Sequence, residues 1–227
     1  MKVVEIFQSL QGEGLFAGLP AVFVRLAGCN LYCRWCDTKY AWSGGKEMTV
    51  DELLKEVLKY EDALKHGARL VITGGEPLLQ QEDLVELVIK LSKHFKVTPA
   101  IEVETNGTIM PSPTLFDYEV RFNVSPKLSN SGVPLEKRLN RKALELFASY
   151  YYSVFKFVVA SEDDVREIFD TYGFLVDMLS AERWRIMLMP LASTREEYLE
   201  IAPKIARLAI KYGFSFSPRF QVEFGFR

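Results

Sequence analysis

The sequence is poor in the residues that do most chemistry near neutral pH: its 227 residues hold two histidines and three cysteines. The cysteines are odd in number and all lie between positions 29 and 36, which excludes a disulfide framework as the organising device. No stretch approaches the roughly 18 consecutive apolar residues of a membrane span, and no membrane partner is expected. Neither sign of charge is in excess, since 28 basic and 30 acidic residues leave a net −2. That balance lacks the basic footprint duplex nucleic acid requires, so no direct nucleic-acid partner is expected. The segment MKVVEIFQSLQGEG places Glu5 and Gln8 inside what would be the apolar core of a signal peptide. Export is therefore not expected, and a cytoplasmic location is. Low-complexity tracts and repeats of roughly 20–50 residues are absent as well.

What is there is the composition of a globular α/β protein. Apolar residues make up 48% and charged residues 26%, enough for a sizeable core. The length fits a single domain spanning 1–227. Short β-branched and aromatic runs alternate with longer amphipathic ones, the pattern of βα units around a mainly parallel sheet. Strands are expected over Val3–Phe7, Val22–Leu26, Arg69–Thr73, Ala100–Glu104, Arg121–Val124, Val154–Val159, Arg185–Met189 and Arg219–Phe224. Thr49 with Glu52 and Thr194 with Glu197 have the spacing of a capping box, and Ser161 precedes the acidic turn Glu162-Asp163-Asp164, so helices should begin at these points. Leu84, Leu87, Val88 and Leu91 mark the core face of a helix over Glu82–Lys96. Leu199, Ile201, Ile205, Leu208 and Ala209 mark that of a later one. Met187, Met189, Tyr150, Tyr151 and Tyr152 read as packing rather than as a cofactor site. Segments 29–48 and 105–120 are the least regular.

In parallel α/β sheets ligands gather beyond the carboxyl ends of the strands, and four motifs stand there. Cys29, Cys33 and Cys36 (C-x3-C-x2-C) directly follow the strand Phe23-Val24-Arg25-Leu26. Three thiolates on one short loop can each ligate one iron of a cubane [4Fe–4S] cluster, leaving the fourth iron open to an outside ligand. Structural zinc is the competing use, but it wants four protein ligands, and His66 and His94 are not at finger-like spacing. Three inert thiols would have no reason to share one turn. Thr73-Gly74-Gly75-Glu76-Pro77 follows the strand Leu70–Ile72. Its paired glycines let backbone approach a ligand and Glu76 can accept hydrogen bonds from an ammonium group, although a plain βα turn explains the same residues. Glu102-Val103-Glu104-Thr105-Asn106-Gly107 ends another strand and Ser125-Pro126-Lys127 the next. A hydroxyl and an ammonium there suit a carboxylate or a ribose, and each alone reads equally well as a capped turn with a solvated lysine.

In succession these motifs resemble the radical S-adenosylmethionine superfamily. The resemblance implies that the open iron binds the amino and carboxylate groups of S-adenosylmethionine. It also implies that one electron cleaves the sulfonium to a 5′-deoxyadenosyl radical that abstracts a substrate hydrogen. An electron donor such as a flavodoxin or ferredoxin follows. Carried over by motif, Cys29, Cys33 and Cys36 hold the cluster. Trp35, Asp37, Gly74, Gly75, Glu76, Glu104, Asn106, Ser125, Pro126 and Lys127 face the cofactor.

The amino end narrows the resemblance. Glu5-Ile6-Phe7-Gln8-Ser9-Leu10-Gln11-Gly12-Glu13-Gly14, then Gly18, Pro20, Phe23 to Leu31 and Trp35-Cys36-Asp37-Thr38, is similar to the 7-carboxy-7-deazaguanine synthase family. The match is close over most of residues 1–40 and keeps its motif order to about Lys127. It implies ring contraction of 6-carboxy-5,6,7,8-tetrahydropterin to 7-carboxy-7-deazaguanine with loss of ammonia, on the route to queuosine or archaeosine and so to tRNA modification. It also implies a partial, open (β/α) barrel, with a homodimer partner over the open side. A carboxylated pterin needs donors and acceptors for its base edge and a cation for its carboxylate. Leu10, Gln11, Gly12, Glu13, Thr73 and Gln221 are carried over as substrate-binding and Arg25 as the carboxylate anchor of the catalytic set. Thr38 is carried over as a ligand of Mg2+. Gln221, on the expected last strand, stands where many members have a histidine, and it cannot titrate near neutral pH. Two rivals remain. One is another small radical enzyme such as a glycyl-radical activase, against which Q-G-E-G and C-D-T stand. The other is a non-catalytic iron–sulfur or zinc-binding module, which would not need G-G-E-P. Accessible cysteines of low pKa are expected to make the protein oxygen-sensitive.

Overall fold

The computed structural model describes residues 1–226. Strands run over Lys2–Leu10 (β1), Pro20–Leu26 (β2), Lys46–Glu47 (β3), Arg69–Gly74 (β4), Ile101–Thr105 (β5), Arg121–Val124 (β6), Ser153–Val159 (β7), Ile186–Pro190 (β8) and Ser215–Phe216 (β9). Helices run over Val50–Leu58 (α1), Glu61–Lys65 (α2), Gln81–Phe95 (α3), Pro113–Asp117 (α4), Leu135–Arg138 (α5), Arg141–Ser149 (α6), Glu162–Met178 (α7), Arg195–Tyr212 (α8) and Phe220–Phe224 (α9). The expected start signals hold: Thr49, Ser161 and Thr194 close capping boxes with Glu52, Asp164 and Glu197. On α3, Leu84, Leu87, Val88 and Leu91 are buried as their spacing requires.

The strands form one open sheet in the order β3-β1-β2-β4-β5-β6-β7-β8-β9. β1 is antiparallel to β2 and β3, and every pair from β2 to β9 is parallel, which makes a partial barrel. The pleat gives its two faces opposite characters. Val22, Val24, Leu70, Ile72, Val103, Phe122, Phe155, Phe157 and Leu188 point outward into one continuous apolar core beneath the helices. The alternate positions point inward. There the register sets Glu5 beside Arg25, Arg25 beside Thr73, Glu102 beside Arg121, and Glu104 beside Asn123.

Three expectations change. The stretch Arg219–Phe224 is not a strand; after Ser217 and Pro218 it forms α9. Pro218 cannot donate to a ladder, and Phe220 pairs with Phe224 one helical turn on, with ring centroids 5.5 Å apart. On α8 the buried stripe runs through Tyr198, Ile205 and Ala209, so Leu199, one position off it, is exposed. Tyr151 is also exposed rather than packed.

The segment that follows β1 meets the residues that follow β9. β1 ends at the level where β2 begins, and segment 11–14 turns back across the opening. Phe220 N donates to Gly12 O at 3.0 Å, and Gly14 N donates to Ser217 Oγ at 2.9 Å. A side chain at Gly12 would displace the Gln221 amide from its place beside the crossing.

Candidate active site

The cysteine loop springs from the end of β2 and is pinned on both flanks. Gly75 N and Glu76 N donate to Leu26 O and Gly28 O at 3.1 and 2.7 Å. A Cβ at Gly74 or Gly75 would overlap those same backbone groups, so the paired glycines first of all admit the cysteine loop itself. Glu76 is fully buried, and its carboxylate accepts from Thr105 Oγ1 at 2.8 Å, Asn106 N at 2.6 Å and Leu78 N at 3.0 Å. Burial pushes its pKa up against these bonds. Asn106 Nδ2 donates to Asn30 Oδ1 at 2.8 Å, tying E-T-N-G to the cysteine loop. On the other flank Arg34 Nε and Trp35 Nε1 donate to Asn130 at 2.7 and 3.1 Å. Lys127 donates to Ser125 Oγ at 2.8 Å and lies 5.6 Å from the Trp35 ring.

Cys29, Cys33 and Cys36 pack together with Leu31 and Val133. Cys33 is buried, and the other two are partly exposed. Burial pushes the Cys33 thiol up, Lys127 draws it down, and Cys29 and Cys36 raise it again. For Cys33 this corrects the expected low-pKa, accessible thiol: the apolar pocket around it disfavours the thiolate. The histidines stand elsewhere, His94 Nε2 against Glu61 at 3.0 Å and His66 Nδ1 against Asp62 O at 2.8 Å, so neither completes a four-ligand zinc site. Three adjacent free thiols at the carboxyl end of a parallel sheet fit a cluster held at three corners. Among the described residues, no three His, Cys, Asp or Glu side chains stand close enough to hold a single metal ion.

Below the loop the inward side chains form a continuous buried network. Arg219 donates to Asp37 Oδ2 at 2.5 Å, to Ala192 O, and to Glu13 Oε1 at 3.2 Å. Gln221 Nε2 adds a 2.7 Å bond to Glu13, while its Oε1 is buried without a partner. Lys156 bridges Glu13 at 2.5 Å and Glu104 at 3.0 Å. Gln11 Nε2 donates to Glu102 and, at 3.3 Å, to Glu104; Asn123 Nδ2 donates to the same pair at 2.8 and 3.0 Å. Arg69 Nε closes the row on Glu102 at 3.0 Å. Burial alone would raise Glu13, but Lys156 and Arg219 hold it at about 2. Burial and the neighbouring Glu104 push Glu102 up to about 7, against Arg69. Burial opposes charge on Lys156, yet Glu104 and Glu13 raise its pKa. Higher in the barrel, Arg25 Nε donates to Glu5 at 2.7 Å, and the guanidinium lies 5.9 Å from the Phe7 ring and 5.8 Å from that of Tyr40.

This arrangement has known counterparts. The Radical SAM superfamily model matches residues 24–145. A 7-carboxy-7-deazaguanine synthase of Hyperthermus butylicus is 42% identical over 226 residues, covering 96% of this chain and 90% of that protein. One from Pyrobaculum aerophilum is 41% identical over 225 residues, covering 98% and 93%. The chain belongs to the 7-carboxy-7-deazaguanine synthase family. The crystal structure of QueE from Escherichia coli agrees, with a TM-score of 0.67 at 27% identity over 95% of this chain and 92% of that one. At 16% identity and a TM-score of 0.55, over 84% of this chain and 60% of that one, anSMEcpe with bound AdoMet and Cp18Cys peptide shares the fold alone. Membership of this family implies a [4Fe–4S] cluster and S-adenosylmethionine, and the cysteine loop suits both.

Against this background the motif residues sort by position. Trp35, Asp37, Gly74, Gly75, Glu76, Asn106, Ser125, Pro126 and Lys127 cluster on or beside the cysteine loop. Gln11, Gly12, Glu13, Glu104 and Gln221 meet in the network below, and Arg25 and Thr73 are neighbours on the inner wall. Thr38 Oγ1 lies 3.5 Å from Cys36 Sγ. The Leu10 side chain is 41% exposed, so only its backbone belongs to the crossing. Glu102, Asn123, Lys156 and Arg219 carry the network and were not marked as site residues from sequence. A signal existed for one of them: Lys156 interrupts Ser-Val-Phe-Lys-Phe-Val-Val, an otherwise apolar strand of a buried parallel sheet, where an unpaired charge would be prohibitive.

Proposed function

We propose that the chain, acting as one domain, converts 6-carboxy-5,6,7,8-tetrahydropterin to 7-carboxy-7-deazaguanine with loss of ammonia. The observation that carries this reading is the Q-G-E-G crossing. Gln11, Gly12 and Glu13 lie inside the barrel, and through Arg219 they are connected to Asp37 of the cysteine loop. A bound [4Fe–4S] cluster with S-adenosylmethionine supplies one-electron sulfonium cleavage and hydrogen abstraction. The chain's own residues bind and orient. Cys29, Cys33 and Cys36 hold the cluster; Trp35, Asp37, Gly74, Gly75, Asn106, Ser125, Pro126 and Lys127 line the cofactor's side, Glu104 sits in the network below them, and Glu76 braces the G-G-E-P turn. Gln11, Glu13 and Gln221 present acceptors and donors to the pterin edge, and Lys156 keeps Glu13 ionised as an acceptor. Arg25, beside Thr73, offers a cation to the substrate carboxylate. Thr38 is assigned as the protein ligand of a Mg2+ ion that orients that carboxylate. The wider reading is a cytoplasmic homodimer, reduced by a flavodoxin or ferredoxin, whose product feeds queuosine or archaeosine.

Anaerobic reconstitution followed by assay with the carboxypterin and S-adenosylmethionine tests the proposal. Deazaguanine product should form, Cys33→Ala should lose iron and turnover together, and omitting Mg2+ should lower the rate. Reductive cleavage of S-adenosylmethionine without deazaguanine product would refute the substrate assignment and leave the radical enzyme.

A further inference from the structure

At the amino ends of β6, β7 and β8, the end of the barrel opposite the cysteine loop, lies a cavity of about 110 Å³. Leu15, Phe16, Arg121, Tyr151, Tyr152 and Trp184 line it, and it reaches inward to Glu102 and Asn123. Arg121 is held flat by rings, its Cζ 4.3 Å from the Tyr152 centroid and 5.4 Å from that of Phe16. Its guanidinium has no hydrogen-bond or ion-pair partner among the described residues. Arg69 shares the same Phe16 ring, 3.6 Å from its centroid. It is buried, with Nε spent on Glu102 and Nη2 buried without a partner. Burial and the charge of Arg121 hold its pKa below the ordinary value, although Glu102 opposes them. Glu102 already accepts from Arg69, Gln11 and Asn123. Two guanidiniums thus stand around one carboxylate that already accepts three hydrogen bonds, with N–H groups left over.

The mouth is aromatic. Tyr151 is 60% and Trp184 40% exposed, and their rings meet edge to face at 6.3 Å. A guanidinium's planar fork matches a carboxylate, and exposed flat rings favour a planar partner. A cavity of this size admits the carboxylate and leaves the ring at the aromatic mouth.

We propose that this floor cavity binds a planar aromatic carboxylate, its carboxylate on the open N–H groups of Arg121, its ring against Tyr151, Tyr152 and Trp184, and Arg69 adding positive charge from behind the Phe16 ring. The site is separate from the cysteine loop and does not depend on which substrate the chamber takes. It meets the chamber at Glu102 and Asn123 and through the turn Gly14–Phe16, which continues the Q-G-E-G crossing.

Calorimetric titration of the reconstituted protein with benzoate tests this, with benzamide and acetate as controls that remove the charge or the ring. Benzoate should bind one per chain, and each control at least about tenfold more weakly. Arg121→Gln should weaken benzoate by about ten- to a hundredfold without changing turnover of the carboxypterin, and Arg121→Lys should not restore it. Should Arg121→Gln fail to fold, Trp184→Ala at the exposed mouth should weaken benzoate by about tenfold with an unchanged circular-dichroism spectrum. Equal binding of benzoate and benzamide overturns the proposal. So does undiminished benzoate binding in a folded Arg121→Gln or Trp184→Ala protein.

Discussion

The two faces of the sheet are made by the same strands and obey different rules. Outward, Phe155, Phe157 and Leu188 meet only apolar neighbours, and any side chain of similar shape would serve. Inward, Lys156 sits between Phe155 and Phe157 and is as buried as they are, yet it is tolerable only because Glu13 and Glu104 reach it. Burial on one face therefore depends on volume and on the other on pairing. The outer face makes the fold, and the inner face makes a chamber whose polar groups satisfy one another until a ligand enters.

That division can be broken by substitution. Phe157→Ala should cost about 3–5 kcal/mol in denaturant unfolding, while turnover per folded molecule stays near wild type. Lys156→Ala should cost about 3 kcal/mol by stranding two buried carboxylates, and unlike the outer variant it should also lower kcat/KM by at least about a hundredfold. Arg25→Gln should cost about 1–2 kcal/mol, since its pair with Glu5 is largely buried but glutamine keeps a donor for it. It should instead raise KM for the carboxypterin by about tenfold. An Arg25 variant as unstable as the Phe157 one would erase the distinction.

The pH dependence of stability sharpens the same comparison within the inner face. Glu102 titrates near 7 in the fold, above its ordinary 4.5. The native state therefore holds this proton more tightly than the unfolded chain, and stability should fall as pH rises from about 4.5 to about 7. Glu13, held at about 2, acts the other way: its contribution is present above about 4.5 and is lost as pH falls toward 2. Glu102→Gln should flatten the neutral limb of a stability–pH curve and leave the acid limb intact. A neutral limb unchanged by Glu102→Gln would assign it to another group.

Much of this was legible before any coordinates. Capping boxes, strand alternation and the cysteine, G-G-E-P, E-T-N-G and S-P-K motifs are local, and local chemistry survives in a linear reading. The network was not legible, because its bonds join residues far apart: Lys156 and Glu13 are separated by 143 positions, and Arg219 and Glu13 by 206. No period reports such a pairing. The last helix was misread because Phe220 to Phe224 alternates like a strand over a length too short to show a helical period. Leu199 lies on the outer side of α8 and Tyr151 in the turn before β7, which composition alone does not reveal.

The crossing of residues 11–14 onto residues 217–221 gives the molecule a definite order of manufacture. A ribosome delivers the Q-G-E-G segment early and its hydrogen-bond partners about two hundred codons later, so the cysteine loop emerges long before the vault beneath it can be sealed. Iron delivered to a nascent chain would meet thiols over an unroofed trough. The finished compartment exists only once residues 11–14 and 217–221 have been tied together.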